Sequence, residues 1–212
     1  MGGQAEGSRT WRGQTIEERQ AGRRERLIEA GIELFGTRGH ANTPVKAICE
    51  EAGLTERYFY EAFEDRESLL DEIYSMVLAD CRRATVEAID GAPDDFEASM
   101  RAGLTAFAHE WIRDPRRARI QEIEVVGVSP EMERKRRDSI HAFAGIVVDR
   151  TLQLGGREQL GALRLDVIAL GLIGSVNEQL IDFVLGDLQI SLDDLIENQI
   201  AAFAAVASQL LE

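Results

Sequence analysis

The apolar residues Leu69, Leu70, Ile73, Val77, Cys81 and Ala84 recur at i, i+4 and i+8, the spacing that lines one face of an α-helix. The same period runs through most of the chain. It predicts helices over about 15–36, 44–52 and 56–63, a long one from near Asp65 to Gly91-Ala92-Pro93, and then spans of about 93–113, 115–126, 130–154, 158–185 and 191–211. Helix-start residues punctuate the later spans: Pro93, Asp114-Pro115, Ser129-Pro130, and Ser191 followed by Asp193 and Asp194. No useful run of period-2 alternation and no internal repeat occurs, so the chain reads as all-α. Residues 1–14, rich in Gly, Gln and Arg, read as a disordered arm. The expected organisation is that arm, a small helical domain over 15–66 and a larger one over 67–212.

The segment from Thr43 to Tyr60 predicts two short helices at a tight turn. Thr43 has a hydroxyl suited to capping, and Pro44 suits a first helical position, where a missing N–H is harmless. Val45, Ile48, Cys49 and Ala52 give the first helix one apolar face. Gly53 can take the left-handed conformation that ends it, Leu54 plugs the junction, and Thr55 caps the next helix. This is a helix-turn-helix, whose second helix is the element that enters a DNA major groove. The run Leu27-Ile28-Glu29-Ala30-Gly31-Ile32-Glu33-Leu34-Phe35-Gly36, then Gly39, Thr43, Val45, Ile48, Ala52-Gly53-Leu54-Thr55, Phe59-Tyr60, Phe63 and Leu69-Leu70, resembles the DNA-binding domain of TetR-family transcriptional regulators. The resemblance covers about a quarter of the chain. It implies a homodimer, a palindromic operator, and a second helical domain that binds a small effector and dimerises.

On the expected recognition helix Phe59 and Phe63 share the inner face, which leaves Glu56, Arg57, Tyr60 and Tyr58 for the outer one. Arg57 can fork onto guanine, Glu56 can accept from cytosine, and Tyr58 suits a thymine methyl or a phosphate. The resemblance implies phosphate clamping by Tyr60 and Arg66. Thr43, Thr55 and Lys46 sit at helix starts, where hydroxyls, a charge and free N–H groups suit phosphate. Arg9 and Arg12 in the arm suit an adjacent minor groove, or are simply part of a solvated leader.

Composition tempers this picture. The 212 residues carry a formal charge of −14, and the split is uneven: residues 1–66 hold 10 basic and 12 acidic side chains, residues 67–212 hold 14 and 26. The acidity lies away from the expected DNA surface, yet the front is not basic overall, so non-specific DNA affinity should be modest. Glu50, Glu51, Glu61 and Glu64 must face away from phosphate, or DNA affinity will be modest and salt-sensitive. Cys49 and Cys81 lie on apolar faces and read as core residues of a reducing, cytoplasmic compartment. No apolar leader opens the chain, and the most apolar stretch, Val167 to Val176, is too short to cross a bilayer.

The last two helices carry interface hints: Leu163, Val167, Leu170, Gly171 and Gly174 on one, and Leu195, Ile196, Ile200, Phe203, Val206 and Leu210 on the other. Paired with a second copy they would form a four-helix bundle, the dimer that the resemblance implies. For a ligand pocket the candidates are Phe107, His109, Trp111, Glu124, His141, Phe143 and Asn177, the last a polar residue inside an apolar run. The basic run Arg134-Lys135-Arg136-Arg137 reads as a solvated face or, less simply, a seat for an anionic ligand. Enzyme signatures are missing. There is no Gly-rich phosphate loop, His109-Glu110 has Arg113 where a zinc helix needs a second histidine, and no metal or cofactor is implied. The rival to a regulator is a helical small-molecule-binding protein that does not grip DNA.

Overall fold

The computed structural model describes residues 15–160 and 163–210, so the arm with Arg9 and Arg12 lies outside the described residues. The chain forms two compact units that divide between Ile73 and Tyr74. In the first, α1 (Ile16–Arg38) opens with a reciprocal cap: Thr15 Oγ1 accepts from the Glu18 amide at 3.0 Å, and Glu18 Oε2 accepts from the Thr15 amide at 2.7 Å. α2 (Val45–Ala52) and α3 (Glu56–Ala62) follow, and then the start of α4 (Arg66–Asp90). Leu27, Leu34, Phe35, Ile48, Phe59, Leu69 and Leu70 are completely or almost completely buried and make the core. At Gly31 a Cβ would stand 2.7 Å from Ile73 Cδ1 and 3.1 Å from a Leu69 methyl, so the glycine lets α1 and α4 approach closely. That packing explains why the division falls inside α4, later than the 66/67 boundary read from sequence.

The second unit holds the rest of α4, then α5 (Phe96–Arg113), α6 (Pro115–Arg119), a π-helical turn (Ile120–Glu124), α7 (Pro130–Gln153), α8 (Leu165–Leu185) and α9 (Leu192–Leu210). Here α7 packs on α8, and α5 packs on α9 through Ala108, Ile196, Ile200 and the flanking Leu104 and Leu192. Asp114, Ser129 and Ser191 accept from backbone amides at their helix starts, as expected. The all-α class holds, with several local differences. Pro93 does not open α5: Asp95 caps it, accepting from the Ala98 amide at 2.7 Å, and Arg150 holds the Pro93 carbonyl instead. The helix expected over 115–126 becomes α6 plus a wider π turn. The helix expected from 158 starts at Leu165, because β1 (Gln159–Leu160) and β2 (Leu163–Arg164) pair antiparallel ahead of it. Leu163 therefore lies on a strand and not on the α8 face.

α8 is also longer than its most apolar stretch suggested. With 21 residues it is long and apolar enough, by length and composition, to cross a membrane, and in the single chain most of it is half-buried.

Candidate nucleic-acid interface and apolar cavity

The turn between α2 and α3 is built as the sequence predicts. Gly53 sits at φ 60° and ψ 40°, and the Leu54 amide donates back to the Cys49 carbonyl at 2.8 Å, closing α2 with a left-handed cap. Phe59 and Phe63 face inward with ring centroids 5.8 Å apart.

Arginines hold this turn in place. Arg26 of α1 donates through Nη2 to the carbonyls of Ala52 and Gly53, where α2 ends. Arg24 donates to the Ala62 carbonyl at the end of α3 at 2.8 Å and lies over the Phe63 ring. Arg66, at the start of α4, donates through Nη1 to the carbonyls of His40 and Thr43 at 3.0 and 2.8 Å. Each guanidinium thus collects carbonyls at a helix end or loop, which complements the partial negative charge there.

Against this frame the expected DNA contacts separate. Thr43 is 1% exposed and donates its hydroxyl to the Gly39 carbonyl at 2.8 Å; Pro44 occupies the cap position of α2, so Thr43 neither caps that helix nor presents a hydroxyl to solvent. This corrects the expectation for Thr43, and its physical reason is the extra residue, Pro44, between it and the helix. Thr55 does stand at the cap position of α3 and is exposed, but its side chain makes no capping bond. Arg66 turns Nη1 inward to the loop carbonyls, so that nitrogen supports the fold and is not offered to phosphate. Tyr58 is half-buried with Arg23 over its ring, 4.3 Å from the centroid, at the seam of α1 and α3.

The exposed set is Lys46, Glu56, Arg57 and Tyr60. Lys46 and Arg57 are 75% and 84% exposed, paired among the described residues with Glu50 at 3.9 Å and Glu61 at 2.9 Å on their own helices. Pairs of this kind are worth about 0.3–0.5 kcal/mol and are readily given up. They also occupy Glu50 and Glu61, two of the carboxylates expected to face away from phosphate. Tyr60 is 58% exposed, its ring edge-on to buried Phe59 at 5.4 Å, which fixes its direction.

In the second unit a cavity of ≈ 40 Å³ lies among α4, α5, α7, α8 and α9. Phe107, Phe143 and Asn177 of the pocket candidates line it, with Thr85, Ile89 and Val176. The other four candidates do not. His109 is exposed on a shallow groove beside the α4–α5 loop, His141 is exposed on α7, Trp111 is fully buried core, and Glu124 is paired with Arg119 at 2.9 Å. Phe107 packs against Trp111 and Phe143 with centroids 5.9 and 5.1 Å apart. The basic run on α7 disperses around its helix: Arg134 pairs with Glu131, Lys135 donates to Ser75 at 2.6 Å, and Arg136 reaches Glu133 at 3.4 Å.

Sequence reasoning missed Gln121 and Glu122, both buried on the π turn. Gln121 Nε2 donates to Glu122 Oε1 at 3.0 Å, while the Cys81 thiol lies 3.8 Å from Gln121 Oε1. Burial pushes the Glu122 carboxyl up to about 7, the Gln121 hydrogen bond and Arg136 opposing it and Glu178 adding to it. Burial likewise pushes the Cys81 thiol and the Tyr74 hydroxyl up to about 12. Tyr74 meets Ser139 at 3.3 Å.

Comparison with known proteins follows the same division. Residues 27–73 match the family model described as bacterial regulatory proteins, tetR family. The HTH-type transcriptional repressor KstR2 of Rhodococcus jostii strain RHA1 is 36% identical over 61 residues, 29% of this chain and 30% of that relative, so the alignment spans under a third of it. A regulator structure from Pseudomonas aeruginosa PAO1 superimposes with a TM-score of 0.75 at 20% identity, covering 92% of this chain and 93% of that one. The fatty acid degradation regulator FadR from Bacillus halodurans gives a TM-score of 0.70 at 16% identity over 85% and 94%. At these identities the likeness establishes a shared fold over both units.

Proposed function

The N-terminal domain of this chain belongs to the TetR family of bacterial regulatory proteins, and from that premise we propose that the whole protein is a cytoplasmic transcriptional repressor. It binds a palindromic operator as a homodimer and is released by a small apolar or amphipathic effector. The observation that carries this reading is the helix-turn-helix whose turn and flanking loop are clamped by Arg24, Arg26 and Arg66 while Lys46, Arg57 and Tyr60 are exposed. In this reading Arg57 and Glu56 face base edges, Tyr60, Lys46 and Thr55 face phosphate, and Tyr58 flanks them. Thr43 and Arg66 set the loop that carries Lys46, with Arg66's remaining nitrogens free to reach phosphate.

The effector reading rests on the cavity. At ≈ 40 Å³ it is far smaller than the roughly 300–1,000 Å³ of a ligand-filled pocket. Entry of a ligand therefore has to part the helices around it, α4 among them. α4 is one unbroken helix that begins in the DNA-binding unit and supplies Thr85 and Ile89 to the cavity. A ligand that favours the parted arrangement shifts the equilibrium away from heads spaced for successive major grooves, roughly 34–36 Å apart. The test is titration of duplexes selected from random sequence. Arg57→Ala should weaken binding by about tenfold to a hundredfold, the value of one bidentate base contact. Equal affinity for selected and scrambled duplexes would leave a helical small-molecule binder in place of a repressor.

The dimer reading rests on α8 and α9, keeping Val167, Gly171 and Gly174 of the residues the sequence favoured on α8 but not the large apolar residues it favoured on α9. Leu195, Ile196, Ile200 and Phe203 are buried within their own chain and belong to its core. The outward faces instead present Val167 and Gly171 on α8 and Ala201, Ala202 and Ala205 on α9. At Gly171 and Gly174 nothing stands within 4 Å of where a Cβ would be. Small residues on an exposed apolar helix allow a second copy to approach closely, and that copy would cover the apolar α8. Val167→Arg should convert the dimer to monomer in light scattering with little change in the folding of either unit; an unchanged dimer mass contradicts this interface.

A further inference from the structure

The polar side chains in and beside the cavity are engaged with other protein groups, with one exception. The Thr85 hydroxyl donates to the Cys81 carbonyl of its own helix at 2.8 Å. Ser175 of α8 donates to Oε1 of the buried Gln199 of α9 at 3.2 Å. Asn177, two residues beyond Ser175, lines the cavity and is half-buried, and among the described residues its carboxamide has no hydrogen-bond partner. Beside it in the α8 wall stand Val176 and, one turn back, Ile173. A carboxamide set in an apolar wall costs free energy until a partner engages it.

Charge is missing from the same space. Among the described residues no charged side chain lines the cavity. The charged residues nearest along each helix are turned to solvent or already committed. Glu178, next to Asn177, is exposed, as are Glu87 and Asp90 near Thr85 and Ile89 on α4. Arg101, beside Met100 on α5, pairs with Glu97 and Glu197. Arg150, one turn beyond Ile146 on α7, donates to Ser99 Oγ at 2.9 Å, to the Pro93 carbonyl at 3.1 Å and to Asp94 at 3.2 Å. An ionised head entering here would lose its hydration and meet no counter-charge, a far larger cost than burying a neutral polar group.

An apolar body can be admitted by side-chain movement. A Cβ on Gly103 would stand 2.8 Å from Cγ1 and Cδ1 of Ile89, so the Ile89 side chain fills the notch that the glycine leaves in α5. Ile89 and the flexible Met100 both line the cavity and can repack around a larger occupant.

We propose that the effector is an uncharged, largely apolar molecule bearing a hydroxyl, and that Asn177 selects it by hydrogen bonding to that hydroxyl while the space among Phe107, Phe143 and Ile173 takes the body. This rests on the reading of the cavity as the effector site. A hydroxyl fits the lining better than a carbonyl or an ether. It can accept from the Asn177 N–H or donate to Thr85 Oγ1, whose own hydrogen is committed to Cys81. The assignment places carboxylates and ammonium compounds outside the preferred class and gives the basic run of α7 no part in binding.

The experiment uses four probes that share one body and differ in the head: naphthalene, 2-naphthol, 2-naphthoate and the ammonium form of 2-(aminomethyl)naphthalene. Each is titrated by calorimetry at about pH 7 into the full chain, Asn177→Leu and the cavity-filling Ile173→Phe. 2-Naphthol should bind about threefold to tenfold more tightly than naphthalene, the worth of one hydrogen bond, and about tenfold or more tightly than either ion. Asn177→Leu should bring the naphthol-to-naphthalene ratio close to one, its retained naphthalene binding showing that the cavity is intact. Three results each overturn the head-group assignment alone, provided Ile173→Phe still weakens naphthalene: naphthol no tighter than naphthalene, a ratio unmoved by Asn177→Leu, or an ion as tight as naphthol. If none of the four binds, or Ile173→Phe leaves naphthalene unaffected, the cavity reading falls and the assignment with it.

Discussion

Arg26→Ala should lower the stability of the N-terminal unit by about 1.5–3 kcal/mol and weaken operator binding by about tenfold or more, although Arg26 is placed to touch no DNA. Its guanidinium donates to the Ala52 and Gly53 carbonyls, where α2 ends and the chain reverses into α3. Those carbonyls have no intrahelical partner, and a charged donor satisfies both at once. The position is tightly shaped: a Cβ on Gly53 would stand 2.8 Å from Arg26 Nη2, in a backbone conformation of φ 60° that already favours glycine. Losing the clamp frees the angle between α2 and α3, and with it the aim of Arg57 and Tyr60. Lysine at 26 should recover only part of the loss, because a point charge cannot hold two carbonyls with the geometry of a fork. Chemical denaturation followed by duplex titration checks this. Wild-type affinity in Arg26→Ala would remove the clamp from the account.

Glu122→Gln should make the second unit more stable at pH 8, by an amount on the order of 3 kcal/mol. The sign follows from the direction of the shift. Burial raises the folded carboxyl from an ordinary 4.5 to about 7, so the folded state holds the proton more tightly than the unfolded one. The stabilisation from that proton is complete below about pH 4.5 and is lost as pH rises through about 7. Each tenfold in proton affinity is worth about 1.4 kcal/mol, which sets the size. Glutamine keeps the shape, can accept from Gln121 through its carbonyl, and never ionises. Urea midpoints of the wild type should fall between pH 5.5 and pH 8 while those of Glu122→Gln stay flatter. A variant less stable than wild type at pH 8 would falsify the view of Glu122 as a strained, under-satisfied group.

The N-terminal unit was legible because its signals are local. Gly53 at its left-handed turn, the inward pair Phe59 and Phe63, and the apolar spacing of α2 and α4 each act within a turn or two of chain. What could not be read was direction. Thr43 and Arg66 have the right chemistry for phosphate, but which way each turns depends on which carbonyls come near: Gly39, four residues back, for the Thr43 hydroxyl, and His40 and Thr43, more than twenty residues away, for the Arg66 guanidinium. The pocket candidates were chosen by residue type, and helix phase then sorted them. His109 follows Phe107 by two positions and so points away from it, while Trp111, one turn on, shares its face but is packed solid. Glu122 escaped because a π turn carries more residues per turn than the assumed α-helical period and shifts which side chains face inward. The face of α9 proposed for dimerisation is alanine, which gives little apolar signal beside the leucines and isoleucines that fill the core.

The central claim is that this chain reads specific DNA sequence, and the most direct measurement is retention of genomic fragments from its source organism by the full protein at moderate and at high salt. The account predicts that high salt strips away bulk fragments and leaves a few palindromic sites, each bound by two chains, and that Arg57→Ala loses those sites. Fragments retained without a shared palindrome, or retained equally by Arg57→Ala, would contradict it.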